Sequence, residues 1–139
     1  MGGDVPLECG ARGGALKETF LREITIHHDG HGLNESIKIE ADEPGPGGAS
    51  HAYTLSIDGL EVARIQFQKG PRNIEGSTPG VVERALLAVV RDRLETFQSG
   101  EFACHENAMA LEEVVAAMDW QKIRSDNRAN RGVLGTYAK

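Results

Sequence analysis

The chain has 139 residues, 40% of them apolar and 26% charged, with a formal net charge of −6. That length supports one modest core, and no apolar run approaches the ~20 residues a membrane span needs. The negative charge argues against DNA or RNA as a partner, because phosphates need a basic footprint; Met1-Gly2-Gly3-Asp4 lacks the basic and apolar regions of a signal peptide, so an intracellular protein is expected.

Residues 1–20 are Gly-rich and aperiodic, which reads as a flexible extension ahead of a single domain over 21–139. Arg22 to His28 alternates through Ile24 and Ile26 and predicts a strand. His27-His28-Asp29-Gly30-His31-Gly32 then turns, and Ser36 to Ala41 alternates again through Ile37 and Ile39. Pro44-Gly45-Pro46-Gly47-Gly48 is a loop. His51 to Ile57 and Leu60 to Phe67 flank Asp58-Gly59, a strong short-range hairpin signal.

Beyond Gly70-Pro71-Arg72-Asn73 the period changes. Ser77 or Thr78 is placed to cap a helix with Pro79 in its first turn. Val82, Leu86, Val89, Val90, Leu94 and Phe97 recur at helical spacing, and Leu111, Val115, Met118 and Lys122 do so after the connection Gln98-Ser99-Gly100-Glu101. The expected fold is α+β: an antiparallel sheet of about four strands over 21–70, then an antiparallel two-helix hairpin over 78–132, closed by Gly132.

Chemistry-bearing residues are few. His27, His28, Asp29 and His31 are competent metal ligands, but a strand through His28 would send His27 and His28 to opposite faces. No metal site is expected, and with neither GxSxG, HExxH nor a Walker loop, no catalysis either. Cys9 and Cys104 are expected as two thiols.

The charge, however, is uneven. Residues 121–139 carry Lys122, Arg124, Arg128, Arg131 and Lys139 against Asp126, a net +4, leaving −10 for residues 1–120. On the second helix Trp120, Arg124, Arg128 and Arg131 share a face apart from the stripe of Cys104, Ala108, Leu111, Val115 and Met118, with Asn107 at the stripe's edge. Arginine forks beneath an indole can grip phosphate and stack on a base; the alternative is a solvated basic last turn answering the helix dipole. Arg93 interrupts the first helix's stripe and is expected to snorkel or to pair with Glu106 or Glu112.

Residues 85–98, the run Glu101-Phe102-Ala103-Cys104-His105-Glu106-Asn107-Ala108, and Arg131-Gly132-Val133-Leu134-Gly135-Thr136 resemble the phage anti-defence hairpin-domain family. Its members are the Thoeris anti-defence and anti-CBASS sponge proteins, and the resemblance covers about residues 81–136. Gln66-Phe67-Gln68-Lys69-Gly70-Pro71 and the upstream strands resemble the Thoeris-type members. Departures from the family pattern include His105 where Arg is usual, Gln121 where Leu is usual, and Ile123 where a basic residue is usual.

The resemblance implies a non-catalytic binder without cofactor in the cytoplasm of the bacterial host. It would sequester cyclic nucleotide signals of the glycocyclic ADP-ribose type, or cyclic di- and trinucleotides, in a homo-oligomer, a dimer or hexamer. It implies Phe97 as the aromatic under the base, Asn107 as a polar contact, and Arg72, Arg124 and Arg128 around the phosphates. The competing expectation is a protein-interaction module that keeps the hairpin without the ligand.

Overall fold

Alternating residues order the first part of the chain. A computed structural model describes residues 22–139, which fall into two units meeting between Gln66 and Phe67. The expected extension over 1–20, with Cys9, lies outside the described residues.

The first unit is an antiparallel sheet of β1 (Arg22–Ile24), β2 (Ile37–Ala41), β3 (Ala52–Ile57) and β4 (Leu60–Gln66), in that spatial order. Register aligns Ile24 with Ile39, Ile39 with Leu55, and Leu55 with Ala63. Because strand side chains alternate, these residues share one face; beside them Ala41 pairs with Tyr53, which pairs with Ile65. At the β3–β4 turn Asp58 and Gly59 have φ of 51° and 80°, the positive pair a two-residue hairpin turn needs. A bulge at Leu55/Ser56 leaves Val62 out of register and exposed.

The first strand is shorter than its alternation predicts. After Ile24 the chain turns, with His28 N–H donating to Thr25 O at 3.0 Å, and Ile26 is almost fully exposed. The loop that follows has its own organiser. Glu35 accepts from the N–H groups of Asp29, Gly30 and Gly32 at 2.6–2.7 Å, and these local bonds replace a ladder. On the other side of β2, Asp42 Oδ1 accepts from His51 and Ala52 N–H, while buried Ser50 accepts from Arg22 Nη2 and donates to Asp42 O.

In the second unit Ser77 and Thr78 do not cap a helix. Thr78 exchanges backbone bonds with Lys69 at 2.7 and 2.9 Å, and Gln68 N–H donates to Val81 O at 2.9 Å. The segment is therefore held extended until Val82, the N-cap, and helix α1 runs Glu83–Gln98. Pairing to Gln68 and Lys69 outweighs the local capping preference.

Helix α2, His105–Asn130, begins at Cys104, whose Sγ accepts from Asn107 N–H at 3.4 Å. Gln98 clasps the connection: its Oε1 accepts from Cys104 N–H and its Nε2 donates to Cys104 O. At the far end Arg84 Nε donates to Met118 O at 3.3 Å, so the helices are antiparallel.

Met118 is buried, with Leu111, Val114, Val115 and Gln121 half-buried near it along α2. Lys122 is not part of this stripe: it is exposed and ion-paired to Asp126 at 2.8 Å, and Gln121 takes the inward place. The apolar stripe of α1 divides. Leu86 and Leu94 are half-buried, whereas Val82, Val89, Val90 and Phe97 are exposed. Gly132 N–H bonds Ala129 O and Val133 N–H bonds Arg128 O, a Schellman closure of α2.

A candidate anion-binding groove at the basic end of the hairpin

Three arginines from three different segments converge beside the first turn of α1. Arg72 comes from the Gly70–Asn73 loop, Arg84 from α1 and Arg124 from α2; they line a groove of about 860 Å³ with Gln121, Ser125 and Gly135. The N-terminus of α1 opens on it through Val82, which supplies no side-chain cap, so the helix's positive end adds to the field. Glu83 is the one acid in the lining. Guanidinium forks around a shared opening suit phosphate oxygens, which accept two parallel hydrogen bonds from one fork.

The groove wall is built by the chain's C-terminal turn. Asn73 N–H donates to Gly135 O at 3.1 Å and its Nδ2 to Leu134 O at 3.4 Å. Arg128 holds the same turn from the helix side: Nη1 donates to Ala138 O at 2.8 Å, and Nη2 to Val133 O and Thr136 O, both at 3.0 Å. Arg131 Nη1 donates to Lys139 O at 2.6 Å. Arg128 thus engages its own tail, and with Trp120, Arg124, Arg131 and Lys139 it lines a second, shallower depression of about 560 Å³. Trp120 is 70% exposed, so its indole face is available.

Phe97 and Asn107 are elsewhere. They sit where α1 ends and α2 begins, and seventeen residues of helix separate Asn107 from Arg124, about 25 Å at 1.5 Å per residue. Phe97 is 38% exposed. Its ring meets Phe102 edge-on at 6.5 Å between centroids, and the Arg93 guanidinium lies over it at 5.3 Å. Arg93 is thereby drawn onto an aromatic face rather than to Glu106 or Glu112. Within one chain, then, Arg72 and Arg124 are brought together, Arg128 lies beyond Arg124 along the helix, and Phe97 and Asn107 lie toward the other end of the hairpin.

The histidine loop is organised around Glu35, which accepts from the N–H groups of Asp29, Gly30 and Gly32. His27 Nε2 lies 2.7 Å from Ile37 O, and Asp29 accepts from His31 N–H and Asn34 Nδ2. Among the described residues no cluster of three or more candidate metal ligands occurs, and Cys104 is an exposed free thiol. No helix among them is long and apolar enough to cross a membrane.

The sequence is 40% identical over 95 residues to Thoeris anti-defense 1 of Bacillus phage SBSphiJ7. The chain belongs to the Thoeris anti-defence family. The aligned stretch is 68% of this chain and spans 66% of that protein's own length, just under two thirds. No protein-family model matches the chain.

Arg84 and Gln121 line the groove, and neither is assigned to the site from the sequence alone. Arg84 lies in the first turn of α1, which the expected cap at Ser77 or Thr78 placed too far along a helix. Gln121 gave a usable signal: three residues beyond Met118, it is a polar side chain on the packing face of α2, and a polar residue turned inward is more informative than an exposed apolar one.

Proposed function

We propose that the protein is a phage anti-defence factor that binds a cyclic nucleotide immune signal inside the host cell and holds it without turnover. The observation carrying this reading is the groove in which Arg72, Arg84 and Arg124 converge with neutral donors. Family membership supports the biological setting, the relative's name being an anti-defence one. Sequestration needs affinity alone, and burying two or more phosphate charges needs paired cations around them.

One hairpin does not complete the site. Phe97 and Asn107 stand about 25 Å from Arg124 along α2, farther than one small ligand spans. A second copy running the opposite way would lay its Phe97 platform against the first copy's arginines, and a two-fold axis makes that site twice. The exposed Val82, Val89 and Val90 on α1 give such a copy apolar surface to cover. In this arrangement Arg72 and Arg124 meet the phosphates, Phe97 stacks on the base, Asn107 bonds its edge, and Arg128 secures the tail that walls the groove. The acidic remainder of the chain disfavours long polyanions such as DNA or RNA.

Calorimetric titration with glycocyclic ADP-ribose isomers and cyclic di- and trinucleotides tests the reading, with the oligomeric mass measured in parallel. Binding of one class at one site per hairpin end is expected, and a folded oligomer that binds none of them overturns it. The same apolar stripe on α1 favours a second reading, a protein-interaction module that has lost the ligand. That reading requires a stoichiometric host protein on pull-down and no small molecule released from the denatured complex.

A further inference from the structure

The groove contains two glutamines, and they differ in one respect. Gln68 is satisfied at both ends: its Oε1 accepts from Gly80 N–H at 3.3 Å and its Nε2 donates to Gly70 O at 3.2 Å. Gln121 lines the same groove, but its Oε1 is buried with no hydrogen-bond partner among the described residues. A buried acceptor left unmade is unfavourable, and native structures rarely retain one without a use.

The surrounding groups do not supply the missing donor. Arg84 is turned to Met118 O, Asn73 to Leu134 O, and Arg72 and Arg124 flank the opening. A phosphodiester, or inorganic sulfate at neutral pH, is an acceptor throughout, so it can satisfy the arginines and can only repel a carbonyl oxygen. A ligand that carries O–H or N–H beside its phosphates satisfies both. The terminal torsion of glutamine is soft, so the amide can turn its oxygen toward such a group.

We infer that Gln121 is a specificity-determining residue of this groove. It accepts a hydrogen bond from a sugar hydroxyl or base amine next to the phosphates, so that the groove selects nucleotides over anions that carry acceptors only. This rests on the reading of the groove as a nucleotide site and adds which part of the nucleotide is read there. The discrimination has the usual asymmetry: a site built with a buried polar group rejects the analogue that leaves it unpaired.

The test compares the native protein with Gln121→Met and Gln121→Leu, which keep the side chain's bulk and remove the acceptor. Each is titrated with the tightest-binding cyclic nucleotide of the panel and with inorganic sulfate, which carries no donor at neutral pH, and melting is recorded for each. The expected result is a loss of about tenfold in nucleotide affinity, as for one neutral hydrogen bond, with sulfate affinity changed less than about twofold. Melting temperature should hold or rise, because an unmade acceptor has been removed. Unchanged nucleotide affinity in either folded variant overturns the inference, as does a parallel loss for both probes. If the native protein binds no nucleotide, the reading of the groove itself fails, and this inference with it.

Discussion

Two regions of the chain gather hydrogen-bond donors, and they treat them oppositely. In the loop between β1 and β2, three backbone N–H groups converge and the chain fills the position itself with the Glu35 carboxylate. At the basic end of the hairpin, Arg128 is likewise filled by the chain's own carbonyls and Arg84 gives its Nε to Met118 O, while Arg72 and Arg124 border a groove that the chain leaves open. Donors answered from within the chain hold a fold together, and donors facing an opening are available to a ligand. By this criterion the Glu35 loop holds the fold, and the arginine-lined groove is the place we propose for a ligand.

The largest effect expected from breaking the open set is on binding. Arg124→Ala removes a charged fork from both depressions and should weaken the nucleotide about 10- to 100-fold, the range for hydrogen bonds to charged groups. Arg124 is exposed, so thermal stability should change by no more than about 0.5 kcal/mol. Calorimetry and melting on the same sample check both halves; full affinity in the variant would return the groove to a solvated basic turn.

The filled set should show the reverse. Gly135 has φ of +79°, and a Cβ there would stand 2.6 Å from Asn73 Nδ2, the donor that pins the tail. Gly135→Ala should therefore loosen the C-terminal turn at a cost of about 1–3 kcal/mol, seen as a lower melting temperature and faster chymotryptic cleavage at exposed Tyr137. Nucleotide binding should weaken only as far as the groove wall is lost.

Arg128→Lys asks for less. The ammonium keeps the charge but cannot span Val133, Thr136 and Ala138 carbonyls as a planar fork does, so about 1 kcal/mol of stability should go. A large loss of affinity with unchanged melting would instead place Arg128 among the direct ligand contacts.

Much of this is legible in the sequence. The Asp58-Gly59 hairpin, the sheet of four antiparallel strands, the two helices and the Gly132 closure all follow from local pattern, where short-range preference and final structure agree. The start of α1 was misread because Ser77 and Thr78 have a capping preference that a nonlocal partner, Lys69, overrides. The early end of β1 was invisible for the same reason: Glu35 acts from eleven residues beyond Ile24. Arg72 and Arg124 could be named from the sequence as a resemblance, but their convergence with Arg84 depends on three segments meeting, which no local period encodes. Lys122 and Gln121 exchanged places because a projection resolves a helix face only to about one residue.

The smallest effect belongs to Glu35, and its sign is fixed by the direction of its shift. The Gly30 N–H, followed by those of Gly32 and Asp29, holds its pKa down at about 2, from an ordinary 4.5. The folded value lies below the unfolded one, so the carboxylate contributes stability fully above about pH 4.5 and loses it progressively as pH falls toward 2. Other acids titrate in that window, so the informative quantity is a difference between proteins. Glu35→Gln keeps the shape and removes the charge. Native protein should melt above the variant by a constant margin from pH 5 upward, and the two curves should converge as pH approaches 2. A margin that persists unchanged at low pH would mean that shape, not charge, closes the loop, and that this donor cluster is filled by packing rather than by an anion.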